Sequence, residues 1–450
     1  MRKLTILTSL LILLLYINCW SQQYDKSNIV IIYADDMGYG DLNIQNPNSK
    51  TPTPNLDKLA SEGMRFTDGH SSSGICSPSR FALLTGTYHW RRTHGIVGTF
   101  GKPIFKDSDI TLPQVLKDDG YRTACIGKWH LGWNWNILNK PTQEVMQWGK
   151  IRKYFLPSDV VWNEPVTGGP LDRGFDYYFG DGTISKPPFA WMENDRLLDI
   201  PTETFDINNS GFKLKEGENS FRPGPKHPDW NPYEVLPKVT QKTVEWIHKQ
   251  DKSQPFFLYF ALPSPHTPIV PTDEFDGTSE AAPYGDFMVQ TDWTVGQVLK
   301  ALKDKGFEDN TIVIFTSDNG PESEAWEHAE ELDHYSMGNF RGLKRDVWEG
   351  GHRVPFIIKW PGHIEAKSIS KEVISQVDIM ATLANITGIK LSENAAPDSY
   401  DFTDVISGKK YNSLLREATI YNTYKSIWSI RKGDWLYINN STGGHRKLPE

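Results

Sequence analysis

The stretch Asn28-Ile29-Val30-Ile31-Ile32-Tyr33-Ala34-Asp35-Asp36 decides how the chain is read. Six apolar or aromatic residues follow Asn28 without alternation, and the run then breaks into paired carboxylates. An uninterrupted apolar run of this length marks a strand buried on both faces. Residues 121–126, 256–262, 311–315 and 354–359 have the same character. Helix-like stretches lie between them: 54–62, with proline in its first turn, then 112–119, 237–249, 286–305 and 377–386. Strands alternating with helices predict an α/β fold, a large mixed but mostly parallel sheet sandwiched by helices. Between Gly132 and Tyr233 Pro, Gly, Asn and Trp become frequent, and long loops and insertions are expected there. After residue 395 three short antiparallel strands are expected at 419–424, 425–431 and 434–439, turning at Lys432-Gly433. The expected division is a main body over 22–395 and a small C-terminal α+β subdomain over 396–450.

Composition narrows the class. Hydrophobic residues are 38% of the 450 and aromatic residues 12%, enough for a substantial core, so general disorder is excluded. A formal charge of −8, from 48 basic and 56 acidic residues, lacks the footprint of a nucleic-acid binder. Residues 1–21 read as an export signal. Arg2 and Lys3 form its positive start, 4–17 its apolar run, and Cys19 with Ser21 the small residues before a cut at Gln22. The run is short for a membrane span, and no other segment reads as one. A periplasmic or secreted protein without stable membrane contact is therefore expected. Asn18 before Cys19 fits a lipid-attachment site poorly. Removal of Arg2 and Lys3 leaves a charge of −10 and two cysteines, too few for a disulfide scaffold. Cys125 sits in an apolar run and is expected to be a buried small hydrophobe. Cys76 lies in polar surroundings and needs another explanation.

Ligands of open α/β sheets gather beyond the carboxyl ends of the strands. Here those ends carry Asp35-Asp36, Gly127-Lys128-Trp129-His130, Pro265-His266-Thr267-Pro268 and Ser317-Asp318-Asn319-Gly320. Each piece alone is commonplace; Asp318-Asn319-Gly320, for one, is a routine turn sequence. Their placement at four strand ends is what gives them weight. If they converge, they make an oxygen-rich cation site beside a basic anion pocket. Asp and Asn oxygens suit a hard divalent cation, Ca²⁺ or Mg²⁺, rather than zinc, and no HExxH or CxxC pattern occurs. Export favours calcium.

The segment Cys76-Ser77-Pro78-Ser79-Arg80-Phe81-Ala82-Leu83-Leu84-Thr85-Gly86 resembles the type I sulfatase signature C-x-P-S-R-x-x-x-L-T-G at every fixed position. The resemblance extends through Asp35-Asp36, Gly127-Lys128-Trp129-His130-Leu131-Gly132, His266-Thr267-Pro268 and Asp318-Asn319-Gly320. It also takes in Arg341-Gly342-Leu343-Lys344 and the stretch from Glu349 to Pro355, and so spans roughly 28–390. It implies an alkaline-phosphatase-like fold and conversion of Cys76 to Cα-formylglycine (3-oxoalanine) by a separate maturation enzyme. A hydrated aldehyde carries two hydroxyls on one carbon: one can attack sulfur, and the other can then collapse the sulfated adduct and expel sulfate. Pro78 is well placed in a first helical turn, where its missing N–H costs nothing.

The resemblance further implies one Ca²⁺ per chain, held by Asp35, Asp36, Asp318, Asn319 and an oxygen of modified residue 76. Arg80 is expected to steady the diol, and Asp318 could accept its proton. Lys128, His130, His266 and Lys344 would surround the sulfate, with either Lys344 or His266 protonating the departing alcohol. The family usually supplies a further polar residue after Gly174-Phe175-Asp176, and Thr183 and Ser185 both fit. The C-terminal region, ending at Glu450, is expected to be short or cut.

A sulfated carbohydrate would suit the tryptophans of the insertions, Trp133, Trp135, Trp148, Trp162, Trp191 and Trp230. The expected activity is therefore that of an exported polysaccharide sulfatase. The alternatives are a phosphonate or phosphate ester hydrolase of the same superfamily, and an inactive glycan-binding homologue.

Overall fold

The architecture follows from how the buried runs pair. The computed structural model describes residues 26–206, 212, 214–217, 220–409, 414–424 and 426–444. The export-signal residues, including Arg2, Lys3, Cys19 and Ser21, lie outside the described residues. Twelve strands build the main sheet and one hairpin; in chain order they begin with β1 (Asn28–Asp35), β2 (Met64–Phe66), β3 (Arg122–Lys128), β4 (Gln143–Gln147), β5 (Lys150–Tyr154) and β6 (Tyr177–Gly182). They continue as β7 (Met192–Glu193), β8 (Arg196–Leu197), β9 (Phe256–Pro265), β10 (Thr311–Ser317), β11 (Phe356–Lys359) and β12 (Ser368–Ser370). Ten of them form one sheet in the order β12-β2-β11-β10-β1-β9-β3-β6-β7-β8. The centre, β10-β1-β9-β3-β6, is parallel. Antiparallel pairings appear only towards the edges, where β11 runs against β10 and β2, and β7 against β6 and β8.

Alternate residues of β1 explain the sandwich. Val30 and Ile32 join a core with helices α1 (Pro54–Ser61), α4 (Val235–His248) and α5 (Ala282–Asp304). Ile29, Ile31 and Tyr33 point the other way, into a core with α2 (Cys76–Thr85), α3 (Leu112–Asp118) and α6 (Ile379–Thr387). Successive side chains leave opposite faces of a strand, so a strand covered on both faces must be apolar throughout. Every residue of α2 is buried, and the helix ends at Gly86 with φ +60°. A Cβ at that glycine would stand 2.5 Å from the Cβ of Ala396. Glycine alone takes this left-handed cap without strain.

Past the body come β13 (Thr419–Thr423), β14 (Ile427–Lys432) and β15 (Trp435–Ile438), an antiparallel sheet that turns at Gly433-Asp434. Arg431 of β14 grips Asp68 of the body with two N–H···O bonds of 2.6 and 2.8 Å. Ala395, Ala396, Phe402 and Val405 pack into the α2–α6 core.

Two expectations need correction. The region between Gly132 and Tyr233 is not only loops: β6 enters the main sheet beside β3, and β4 pairs with β5 as a separate hairpin. Two glycines and an aspartate in Tyr-Tyr-Phe-Gly-Asp-Gly hide β6, and pairing with β3 supplies what local propensity does not. The strand expected over 354–359 begins at Phe356 and is antiparallel to β10.

Candidate active site

The carboxyl ends of β1, β3, β9 and β10 meet at one place. Asp35 closes β1, and Asp36 follows with φ +65°. His130, two residues beyond β3, has φ +53°. Non-glycine residues in this region are strained, and such strain clusters at functional sites. Asp36 donates its backbone N–H to Asp318 Oδ1 at 3.2 Å and accepts from Asn319 Nδ2 at 2.7 Å. The four metal-ligand candidates on strand ends are therefore one buried cluster.

Cations surround it. Arg80, from the first turn and a half of α2, donates from Nε and Nη2 to Asp318 Oδ2 at 3.0 and 2.8 Å, and from Nη1 to the Lys128 carbonyl at 3.2 Å. Its guanidinium stacks over the Tyr33 ring at 5.2 Å. Lys128 bonds Asp35, and Lys344 Nζ donates to Asp36 Oδ2 at 2.6 Å. His266 Nε2 lies 3.7 Å from the same Asp36 oxygen. Asp35, Asp36 and His266 could each offer a ligand atom within 4.8 Å of the others.

Charge follows from this packing. Burial alone would raise Asp35, but the Lys128 ammonium, His266 and Arg80 outweigh it and hold the carboxyl well below its usual range. Burial and the Asp35 charge push Asp318 up. Burial opposes the Lys344 charge, yet Asp36 and Glu322 raise its ammonium above the ordinary lysine value. Burial, with Lys344 beside it, lowers His266 to about 4, so its imidazole is neutral at neutral pH. His130 is likewise pushed down, by burial, Lys186 and Lys128.

Two oxygens of the cluster, Asp35 Oδ1 and Asn319 Oδ1, are buried without a hydrogen-bond partner. Buried acceptors left unpaired are costly and call for a donor or an ion. Together with the Asp36 and Asp318 carboxylates they form the all-oxygen set that a hard divalent cation takes, so the residues present fit such an ion. A second acidic group, Asp68, His70 and Glu349, also lies within 4.8 Å. There Arg353 and Arg431 occupy Asp68, which makes it an ion-pair network between body and C-terminal sheet.

Cys76 is the first residue of α2, 1% exposed, and lines a cavity of about 1160 Å³. His130, Ser185, Lys186, His266 and Lys344 line the same cavity. Thr183 and Ser185 are thereby distinguished. Ser185 faces this cavity, while Thr183 faces a smaller one and bonds the Gly182 carbonyl at 2.7 Å.

Lys186 is absent from the residues singled out by sequence. Its Nζ donates to the Val97 carbonyl at 2.7 Å and lies 2.5 Å from His130 Nε2. Burial, with Lys128 adding to it, lowers its ammonium to about 7. Its only sequence signal is position, directly after Ser185 and the unrecognised β6. Of the tryptophans, Trp133 and Trp230 are buried packing residues. Trp148, at the tip of the β4–β5 hairpin and 43% exposed, lines the cavity.

The family model described as Sulfatase matches residues 27–389. An N-acetylgalactosamine-6-O-sulfatase of Bacteroides thetaiotaomicron is 32% identical over 455 residues, covering 93% of this chain and 84% of the relative. Arylsulfatase G of Mus musculus is 34% identical over 411 residues, covering 85% and 69%. A solved Bacteroides thetaiotaomicron structure, described under metabolism of multiple glycosaminoglycans, superposes with a TM-score of 0.78 at 31% identity, covering 92% of this chain and 88% of that one.

Proposed function

Because the chain belongs to the sulfatase family and is a sulfuric ester hydrolase, we propose that it is an exported enzyme that removes sulfate from a sulfated oligo- or polysaccharide. Residue 76 acts as formylglycine made by a maturation enzyme, with one Ca²⁺ held by Asp35, Asp36, Asp318, Asn319 and residue 76. The observation that supports this reading is that Cys76, at the head of α2, lines one cavity with His130, Lys186, His266 and Lys344, and that Lys344 in turn bonds Asp36 of the buried carboxylate–amide cluster gripped by Arg80 and Lys128. Export is supported by the charged start and apolar run of residues 2–17. Among the described residues, no helix is long and apolar enough to cross a membrane.

Formylglycine, as its hydrate, would supply two geminal hydroxyls where the thiol offers a single sulfur. Bound Ca²⁺ would supply positive charge beside residue 76 and a partner for the two orphan oxygens. The chain's own residues do the rest. Arg80 donates two N–H groups to Asp318 Oδ2 and the Asp36 backbone N–H donates to Oδ1, so that the carboxylate holds one orientation and can take a proton from a hydroxyl at residue 76. Lys128 and Lys344 place ammonium charge where negative charge develops on the sulfate oxygens. Ser185, Lys186 and the neutral His130 and His266 add further hydrogen-bonding groups on the cavity wall. Lys344 and His266 both line the cavity beside Asp36, and either is placed to give the departing alcohol oxygen its proton.

The test is sulfate release from a panel of defined sulfated oligosaccharides, by protein whose residue 76 has been checked by peptide mass spectrometry. Release is expected from at least one carbohydrate ester and is expected to vanish in Cys76→Ala. Full activity in that variant, or turnover of aryl phosphates in preference to every sulfate, would refute the reading.

A further inference from the structure

The cavity that holds Cys76 and Lys344 has a second basic group, carried by elements remote from the strand ends. Trp148, of the β4–β5 hairpin, and Arg152, of β5, line it together with Arg222. The Arg222 guanidinium lies 3.9 Å from the centroid of the Trp148 ring, and that of Arg152 lies 5.1 Å from it. Arg222 Nη1 donates to Gln147 Oε1 at 3.1 Å. Gln147 is itself fixed, because its Nε2 donates to the Phe221 carbonyl at 2.7 Å. A guanidinium stacked on an aromatic face keeps its N–H groups in the plane, aimed at whatever meets its edge. One of them is used by Gln147.

Among the described residues, no carboxylate pairs with Arg152 or Arg222. Burial lowers Arg222 to about 10, and Arg152 and Arg345, both cations, add to that. Nε of Arg152 is buried without a hydrogen-bond partner. Arg345, by contrast, is neutralised by Glu322, with N···O distances of 2.5 and 2.6 Å. Half-buried guanidinium groups facing each other without a carboxylate are unfavourable, and a purely structural strut against Trp148 could be apolar at lower cost. In a chain of net charge −8, this is positive potential concentrated in one cleft.

We infer that Arg222 and Arg152, arranged on Trp148, form a second anion-binding subsite, and that the substrate is a sulfated oligosaccharide bearing another negative group near the ester that is cleaved. This rests on the carbohydrate-sulfatase reading above. The second group is a carboxylate or a second sulfate; both accept paired hydrogen bonds from a guanidinium edge. The subsite sets substrate choice and leaves the chemistry at residue 76 to the strand-end residues.

Three disaccharides test it. All share the sulfated sugar that the panel identifies, and the neighbouring sugar is neutral, a uronate, or sulfated. With formylglycine verified at residue 76, kcat/KM for sulfate release is measured for the wild type, Arg222→Met and Arg152→Gln. The wild type is expected to favour one of the two dianionic disaccharides by roughly tenfold or more over the neutral-neighbour one. Arg222→Met is expected to collapse that ratio, chiefly through KM, and Arg152→Gln to reduce it. Whichever dianion is favoured identifies the group. Turnover of the neutral-neighbour disaccharide shows that each variant is folded. Equal wild-type values for all three, or a ratio unchanged in Arg222→Met, would overturn the subsite. Binding of the three disaccharides to the Cys76→Ala protein, followed by tryptophan fluorescence, separates this failure from that of the parent reading. Arg222-dependent binding of a dianion without any sulfate release by mature protein leaves the subsite standing and removes the hydrolysis. Binding of all three with equal affinity, or of none, removes the subsite whatever the activity.

Discussion

Replacing Arg80 by methionine is the sharpest test of the electrostatics of the site. Arg80 is fully buried, makes two N–H···O bonds to Asp318 and one to the Lys128 carbonyl, and lies 3.7 Å from Asp35 Oδ1. Methionine keeps much of the volume and removes the charge. Stripping one partner from a buried ion pair costs about 3–5 kcal/mol, because the other charge is left unpaired. The cost depends on pH. The folded-state Asp318 carboxyl is already raised by burial and Asp35, so the wild type loses stability as pH climbs from the unfolded value, near ~4, towards the raised one. Arg80 opposes that rise, and its loss extends the window upward. The deficit should thus approach the full 3–5 kcal/mol near pH 8. At pH 5.5, where Asp318 is protonated with or without Arg80, it should shrink to about 1–2 kcal/mol of lost hydrogen bonding. With an unfolding entropy of about 2.1 cal/mol/K per residue, the alkaline deficit lowers Tm by ~3–5 °C in this 450-residue chain. Calorimetry in chelator at the two pH values reads it directly. A Tm change under ~1 °C at pH 8, or a larger loss at pH 5.5, would refute the reasoning.

Three other outcomes are expected. Chelation should lower Tm and abolish sulfate release, and Ca²⁺ at about a hundred times its Kd should restore some 2.7 kcal/mol, about 3 °C, by differential scanning fluorimetry. Burial raises Asp181 to about 7 and leaves its Oδ2 without a hydrogen-bond partner. A carboxyl raised in the fold makes stability fall with rising pH, here by up to roughly 4 kcal/mol between about pH 4 and 7. Asp181→Asn should flatten that slope in urea titrations and leave the variant more stable than the wild type at pH 8. Gly86→Ala puts a side chain at φ +60° and against Ala396, and should cost about 1–3 kcal/mol of unfolding free energy.

What could be read from sequence was what burial writes on both faces of a strand. β1, β9 and β10 are covered above and below, so their apolar runs are continuous, and the residues at and just past their ends lie at the candidate site. The β4–β5 hairpin left no such mark. In Lys150–Tyr154 three cations surround an exposed Ile151, and the pair is sheeted with nothing else. Lys186 escaped notice because a lysine in a turn-rich stretch looks like any surface lysine. Only its burial against Val97 and His130 distinguishes it. Trp133 and Trp148 are the same residue type in the same composition, and nothing short of three dimensions separates the buried packing residue from the one on the cavity wall.

Helix α2 is buried along its whole length, and Cys76 meets solvent only through the cavity it lines. On the proposed chemistry, an oxidising enzyme would have to read a segment that the finished protein withholds from it. The conversion must then be made on the nascent or unfolded chain, and the two processes race. Polypeptide that folds first is locked out permanently, so a preparation made where the oxidant is scarce should be a mixture of competent and inert molecules with the same fold, and refolding in the presence of the oxidant should be needed to rescue the inert fraction.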